Sequence, residues 1–213
     1  MCRYILLILT LLSFNAGKAQ EAYGLEFACK NIAQEARTSL DLTPENPLSV
    51  KEKYSLAFDL SFMPWDSSYF GYVFRMIDEK KQNIDLIYNV HTNAVDVVTG
   101  NEFSGISFTI GKDALYHQWN NIRFDFNTLA HTLAVSINGR PVKSIRSPVI
   151  SGRHIRVCFG ANHRKTFKTF DLPPMRIKDV KIYGDNILQH HWPLDQRKGN
   201  TDKDLLTGQA AGI

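Results

Sequence analysis

Apolar and polar residues alternate with a period of two along most of the chain. In Tyr54-Ser-Leu-Ala-Phe-Asp-Leu-Ser-Phe62, Tyr54, Leu56, Phe58, Leu60 and Phe62 fall on one side and Ser55, Ala57, Asp59 and Ser61 on the other. That pattern predicts a half-buried antiparallel strand. Met63-Pro-Trp-Asp-Ser-Ser68 ends it, since proline cannot donate into a central ladder. A second strand over 69–77 places Phe70, Tyr72, Phe74 and Met76 on its packed side. The charged turn 78–83 leads into a returning strand, Ile84–Val90, which makes a hairpin. Further strands are predicted at 94–98, 103–110, 119–126, 132–137, 155–161, 177–182 and 188–194. Asn138-Gly139 marks a tight hairpin, because both residues tolerate positive φ. Only Gly111–His117 suits a helical turn. Eleven or twelve short strands with turn signals between them imply an all-β, two-sheet antiparallel sandwich. The expected core is Tyr54, Leu56, Phe58, Leu60, Phe74, Phe124, Leu133, Val135, Ile137, Val157, Phe159 and Ile182.

The first residues bear on compartment. Arg3 precedes the apolar run Ile5–Phe14, and small residues, Gly17 and Ala19, stand before Gln20. A run of about ten apolar residues is short of the roughly twenty that span a bilayer, so 1–19 reads as a secretory signal peptide. The mature chain is then expected to be secreted, periplasmic or at the cell surface, with no membrane span. Cleavage there leaves 23 basic and 21 acidic side chains, a formal charge of +2. So balanced a chain gives no sign of a nucleic-acid surface. Cys29 and Cys158 remain, too few for a disulfide framework, and whether they are bridged is open. Residues 20–195 read as one domain. Residues 196–213 have turn composition, and read either as a loosely held tail or as the edge of a longer protein.

Three stretches carry a resemblance: Thr132–Pro141 with its Asn-Gly turn, Ile155-Arg-Val-Cys-Phe-Gly-Ala161, and Phe170–Tyr183 closing on Arg-Ile-Lys-Asp-Val-Lys-Ile-Tyr. In this order they resemble the second half of a laminin G-like jelly roll of the concanavalin A-like lectin/glucanase superfamily. The resemblance implies two antiparallel sheets in jelly-roll order, with ligand sites on one sheet or on loops along a rim. Arg37–Pro44, Tyr69-Phe-Gly-Tyr72 and His191-Trp-Pro-Leu194 resemble a variant found in secreted proteins of Bacteroidetes, where it precedes other domains.

The glucanases of this superfamily carry Glu-x-Asp-x-Glu on one strand, and a retaining mechanism needs two carboxyls about 5 Å apart. Asp59, Asp85 and Asp125 have no carboxylate two residues away, and the one pair at that spacing, Asp202 and Asp204, falls in the tail, so no catalytic residues are expected. Calcium stays open: relatives hold it through rim aspartates, and Asp66, Asp78, Asp96 and Asp113 lie in or near turns, but no ligand spacing fixes a site. Sugar binding needs aromatic rings to stack on and planar polar groups beside them. The candidates are Trp65 and Tyr69 around the Pro-containing break, with Arg75, Asp85, Asn89 and Arg123 on polar strand faces. Arg75 and Asp85 have a second reading as a cross-hairpin ion pair, and Trp119 and Trp192 read as core or sheet-edge residues. The expectation is a non-catalytic module binding a polysaccharide or other glycan. The alternative is a protein-interaction or spacer domain, with a glucanase-like hydrolase behind both.

Overall fold

A computed structural model describes residues 23–27, 29, 31–64, 70–148, 150–165, 167–196 and 199–213. The signal-peptide reading of 1–19, and Trp65, Asp66 and Tyr69, lie outside the described residues. The first strands are β1 (Leu25–Phe27), β2 (Ser39–Asp41), β3 (Leu48–Ser49), β4 (Lys53–Phe62), β5 (Phe70–Asp78), β6 (Asn83–Asn89), β7 (Ala94–Thr99) and β8 (Glu102–Phe108). After the single turn of helix α1 (Lys112–His117) come β9 (Asn120–Asn127), β10 (Thr132–Ile137), β11 (Arg140–Arg146), β12 (His154–Gly160), β13 (Met175–Gly184), β14 (Ile187–Trp192), β15 (Thr201–Lys203) and β16 (Ala210–Gly212).

The strands form two antiparallel sheets. One has seven strands in the order β1-β13-β4-β9-β10-β11, with β14 also on β13; the other has nine in the order β15-β16-β2-β12-β5-β6-β7-β8, with β3 also on β12. Their inner faces meet in one core, where Phe58 packs edge to face on Phe74 and Phe159, and Phe74 on Phe124, at ring separations of 5.0–5.7 Å. Such aromatic pairs add about 0.5–1.5 kcal/mol each beyond the burial of their area. Every residue of the expected core is buried except Ile137, which is partly buried near the β10–β11 turn. That turn has φ of 50° at Asn138 and 74° at Gly139, as the Asn-Gly pair requires.

Strand β4 is more buried than alternation alone implies. It lies between β13 and β9, and Ser55 and Ser61 on its polar side are covered as well. In β13 the apolar spacing is three, then two: Ile177, Val180, Ile182. The structure reconciles this with a bulge between Lys178 and Lys181, where Asp179 has φ 51° and all three apolar residues reach the core. A bulge in β5, between Tyr72 and Phe74, corrects the expected face of that strand. Phe74 and Met76 pack inward as expected, while Tyr72 turns outward beneath the Arg75 guanidinium, 4.6 Å from its ring centre, and Phe70 is exposed.

The C-terminal segment adds a hairpin to the nine-stranded sheet. β15 pairs with β16, and Gly212 pairs with Asp41 of β2. Asp204 fastens it: its carboxylate receives the His191 amide at 2.8 Å, contacts His190 Nδ1 at 2.6 Å and accepts from the Thr207 hydroxyl. Burial works to raise the Asp204 carboxyl pKa, but the hydrogen bonds from Thr207, the His191 amide, His190 and the Leu206 amide together outweigh it and lower it.

Candidate functional site

The outward face of the nine-stranded sheet follows from strand register. Asp41, Cys158, Arg75, Asp85 and Val98 stand opposite one another across β2, β12, β5, β6 and β7. The next row along contains Arg156, Ile77 and Asn83. Arg156 is outward because Ile155 and Val157 on either side point into the core.

Arg75 and Asp85 form a bidentate pair, Nε to Oδ1 at 2.6 Å and Nη2 to Oδ2 at 2.7 Å, with side chains 8% and 2% exposed. Asn83 Nδ2 donates to the same carboxylate at 2.9 Å. Burial works to lower the Arg75 pKa, yet the hydrogen bonds and charge of Asp85 raise it, so the guanidinium is held charged. The third arm is the consequential one for function. Arg75 Nη1 donates to the Phe167 carbonyl at 2.8 Å, and Asn162 Nδ2 donates to that same oxygen at 3.0 Å. The loop after β12 therefore folds back over β5, closed by two backbone bonds between Asn162 and Thr169. Phe167 has φ 63° there, a left-handed backbone that is an outlier for a bulky residue. Strain of this kind costs on the order of 1–3 kcal/mol and persists where its surroundings enforce it.

Beside that loop is a groove of about 460 Å³, lined by Ile77, Asp78, Lys81, Arg156, Arg164, Lys165 and Phe167. Two guanidinium groups are fixed in it by one acceptor: Arg156 Nη1 and Arg164 Nη2 both donate to the Thr43 carbonyl at 2.7 Å. Arg164 is also paired with Asp41. The acid among the described residues that line the groove, Asp78, is engaged in its own turn. Its Oδ1 accepts from the Lys80 and Gln82 amides at 2.9 and 2.8 Å, while Oδ2 is buried without a hydrogen-bond partner among the described residues. Burial raises the Asp78 carboxyl pKa against those amides. Beneath Arg164 and Asp41 the Cys158 thiol is pushed up to about 12, first by burial and then by the Asp41 charge, so it is inert at neutral pH. Cys158 and Cys29 are both free.

The structure divides the site expected from sequence. Arg75 and Asp85 meet, but as a buried pair that supports a loop. Asn89 lies at the end of β6 and caps a turn, accepting from the His91 amide at 3.0 Å. Arg123 belongs to the other sheet: on β9 it bonds Ser55 and Asp125, each at 2.8 Å, and lies 5.0 Å from the Tyr183 ring centre. It cannot share a ligand with Arg75, because the core separates them. Trp192 is wholly buried, whereas Trp119 is partly exposed with the Lys178 ammonium 4.5 Å from its ring centre. The groove residues Lys81, Arg156, Arg164, Lys165 and Phe167 escaped the sequence reading. Their signal was the basic, aromatic run Asn162-His-Arg-Lys-Thr-Phe-Lys-Thr-Phe170 directly after a strand. Among the described residues no group of three or more His, Cys, Asp or Glu side chains is placed to hold a metal ion, and no helix is long and apolar enough to cross a membrane.

No protein-family model matches the chain, and no curated protein matches it. Solved structures do. A heptameric SAP-like pentraxin from Limulus polyphemus aligns with a TM-score of 0.50 and 12% identity, over 82% of this chain and 88% of that one. A Bacteroides ovatus protein assigned a carbohydrate-binding role aligns with a TM-score of 0.54 and 11% identity, over 83% of this chain. The NanB sialidase of Streptococcus pneumoniae aligns with a TM-score of 0.50 and 12% identity, over 78% of this chain. The matched regions are 55% of the Bacteroides protein and 26% of the sialidase. Identities this low speak to architecture alone. With the two sheets described above, they establish that the chain folds as a jelly-roll sandwich of the concanavalin A-like type.

Proposed function

We propose that the protein is a non-catalytic glycan-binding module of an exported protein, and that its ligand lies in the groove between β5, β12 and the 162–169 loop. The observation that carries this reading is the juxtaposition of the Phe167 ring with the guanidinium groups of Arg156 and Arg164. A sugar needs an apolar face to stack on and donors fixed in direction. The common Thr43 carbonyl supplies that fixity, which lowers the ordering cost of binding. The carbohydrate-binding role assigned to the Bacteroides ovatus neighbour agrees with it. The apolar run before Gln20 motivates export, and the laminin G-like and Bacteroidetes resemblance is offered on the same footing. The one carboxylate pair found at strand spacing, Asp202 and Asp204, is engaged in holding the C-terminal hairpin, which motivates a binding rather than a hydrolytic role.

A glycan array probed with the purified chain tests the reading, with Arg156→Ala in parallel. Losing one charge-assisted donor removes on the order of 1.5–3 kcal/mol, at least a tenfold loss of affinity. Binding to no glycan, or binding unchanged by Arg156→Ala, would remove the assignment.

A further inference from the structure

The groove is charged in a way that its structural duties do not explain. Arg164 is accounted for by Asp41. Among the described residues, Arg156 is held by backbone carbonyls alone, those of Thr43 and Glu45. Among the described residues, no carboxylate lies within ion-pair distance of Arg156, Lys81 or Lys165. Three uncompensated cations therefore converge on one concavity, in a chain whose formal charge is only +4 over 213 residues. Like charges gathered this way repel one another in the empty protein. Of the carboxylates nearby, Asp41 is taken up by Arg164, and Asp78 turns its Oδ1 to the Lys80 and Gln82 amides and its Oδ2 inward, close to Gly152.

We infer that the groove recognises an acidic sugar residue: the oxyanion substituent of a uronate or of a sulfated saccharide is received by Arg156, Lys81 and Lys165, with the ring of that residue against Phe167. This rests on the glycan reading above and narrows it. The guanidinium of Arg156 offers the directed, planar contact to an oxyanion, and the two lysines act as point charges that steer and retain it. Ile77 and Phe167 supply the apolar floor and wall for the remainder of the sugar. At about 460 Å³ the groove suits one or two residues of a chain rather than a long stretch of it. Carboxylate and sulfate present the same oxygen chemistry, and the two are separated by experiment.

The test is calorimetric titration of the full chain with matched pairs of oligosaccharides: a polyuronate against its carboxyl-reduced form, and a sulfated galactan against its desulfated form. Polyglutamate serves as a polyanion without sugar rings. The expected result is binding to at least one acidic member, weakened tenfold or more in its neutral counterpart and at about 0.5 M salt, where screening is within a few ångströms. Lys81→Ala and Lys165→Ala should each cost about twofold to fivefold, as exposed ion pairs do. Which pair responds identifies carboxylate or sulfate. Equal binding of acidic and neutral members would overturn the acidic-sugar inference while leaving the glycan reading standing. Binding of polyglutamate as tight as that of the oligosaccharides would overturn it in favour of plain charge attraction. Silence toward every saccharide would bring down both.

Discussion

The Arg75–Asp85 pair gives the sharpest energetic test of how this face is built. Asp85→Ala removes the carboxylate that accepts two Arg75 bonds at 2.6 and 2.7 Å, leaving a guanidinium only 8% exposed. Its remaining partners are the Phe167 carbonyl and the faces of Tyr72 and Phe167, with ring centres 4.6 and 5.6 Å away. Those replace little of the lost attraction, so the expected loss is about 3–5 kcal/mol, the penalty for an orphaned buried charge. The pair as a whole is worth far less, since both ions had to leave water to form it. Arg75→Met with Asp85→Leu should therefore fall within about 1 kcal/mol of the wild type, or above it. Urea denaturation of the three proteins reads the order directly. The double variant also lacks the donor to Phe167, so amides of 162–169 should exchange faster and ligand affinity should fall although the sandwich is intact. A loss below about 1 kcal/mol for Asp85→Ala, or a double variant as damaged as the single one, would refute the picture of a dry, structural pair.

Three further outcomes are expected. Phe167→Gly should be more stable than Phe167→Ala by about 1 kcal/mol, because φ 63° suits glycine, while both lose the stacking ring and bind weakly; thermal melts and titrations check the pair. Gly160→Ala should cost about 2 kcal/mol or more in denaturant unfolding, since φ is 70° and a Cβ would stand 2.4 Å from the Phe27 ring and 2.7 Å from the Thr38 carbonyl. The lowered pKa of Asp204 stabilises the C-terminal hairpin above the ordinary carboxyl value of 3.8, and this contribution disappears as pH falls through the lower folded value. Amide exchange in 201–212 should rise along that limb, and Asp204→Asn, costing about 1–3 kcal/mol, should flatten it; an unchanged acid limb in the variant would contradict the assignment.

The fold was largely readable because period-two alternation is a local signal. Tyr54–Phe62 and Asn120–Phe126 announce their buried faces without reference to any other strand. Where a bulge intervenes, local counting fails: the irregularity between Tyr72 and Phe74 moved Phe70 and Tyr72 out of the packed set, and Val73 into it. Strands of two or three residues, such as β3 and β16, are held by their partners and leave no periodic trace. The site was harder for a different reason. Arg75 and Arg123 both occupy polar strand positions, and nothing local says that they belong to different sheets. The groove exists only because the chain from Asn162 to Thr169 folds back over β5 and the β2–β3 connection passes under Arg156. Both are long-range events, with Arg156 and Thr43 separated by 113 residues. Arg156 itself was accessible to reasoning, as the charged residue between Ile155 and Val157 on a strand otherwise committed to the core.

The central claim is the location of the ligand. It is tested most directly by two-dimensional NMR of the isotopically labelled chain, titrated with an oligosaccharide that binds it. The account predicts that the largest shift changes fall on Ile77–Lys81, Arg156 and Arg164–Phe167, with the Asn120–Asn127 strand unmoved. Shifts gathered instead around Arg123, Tyr183 and Trp119, on the seven-stranded sheet, would contradict it.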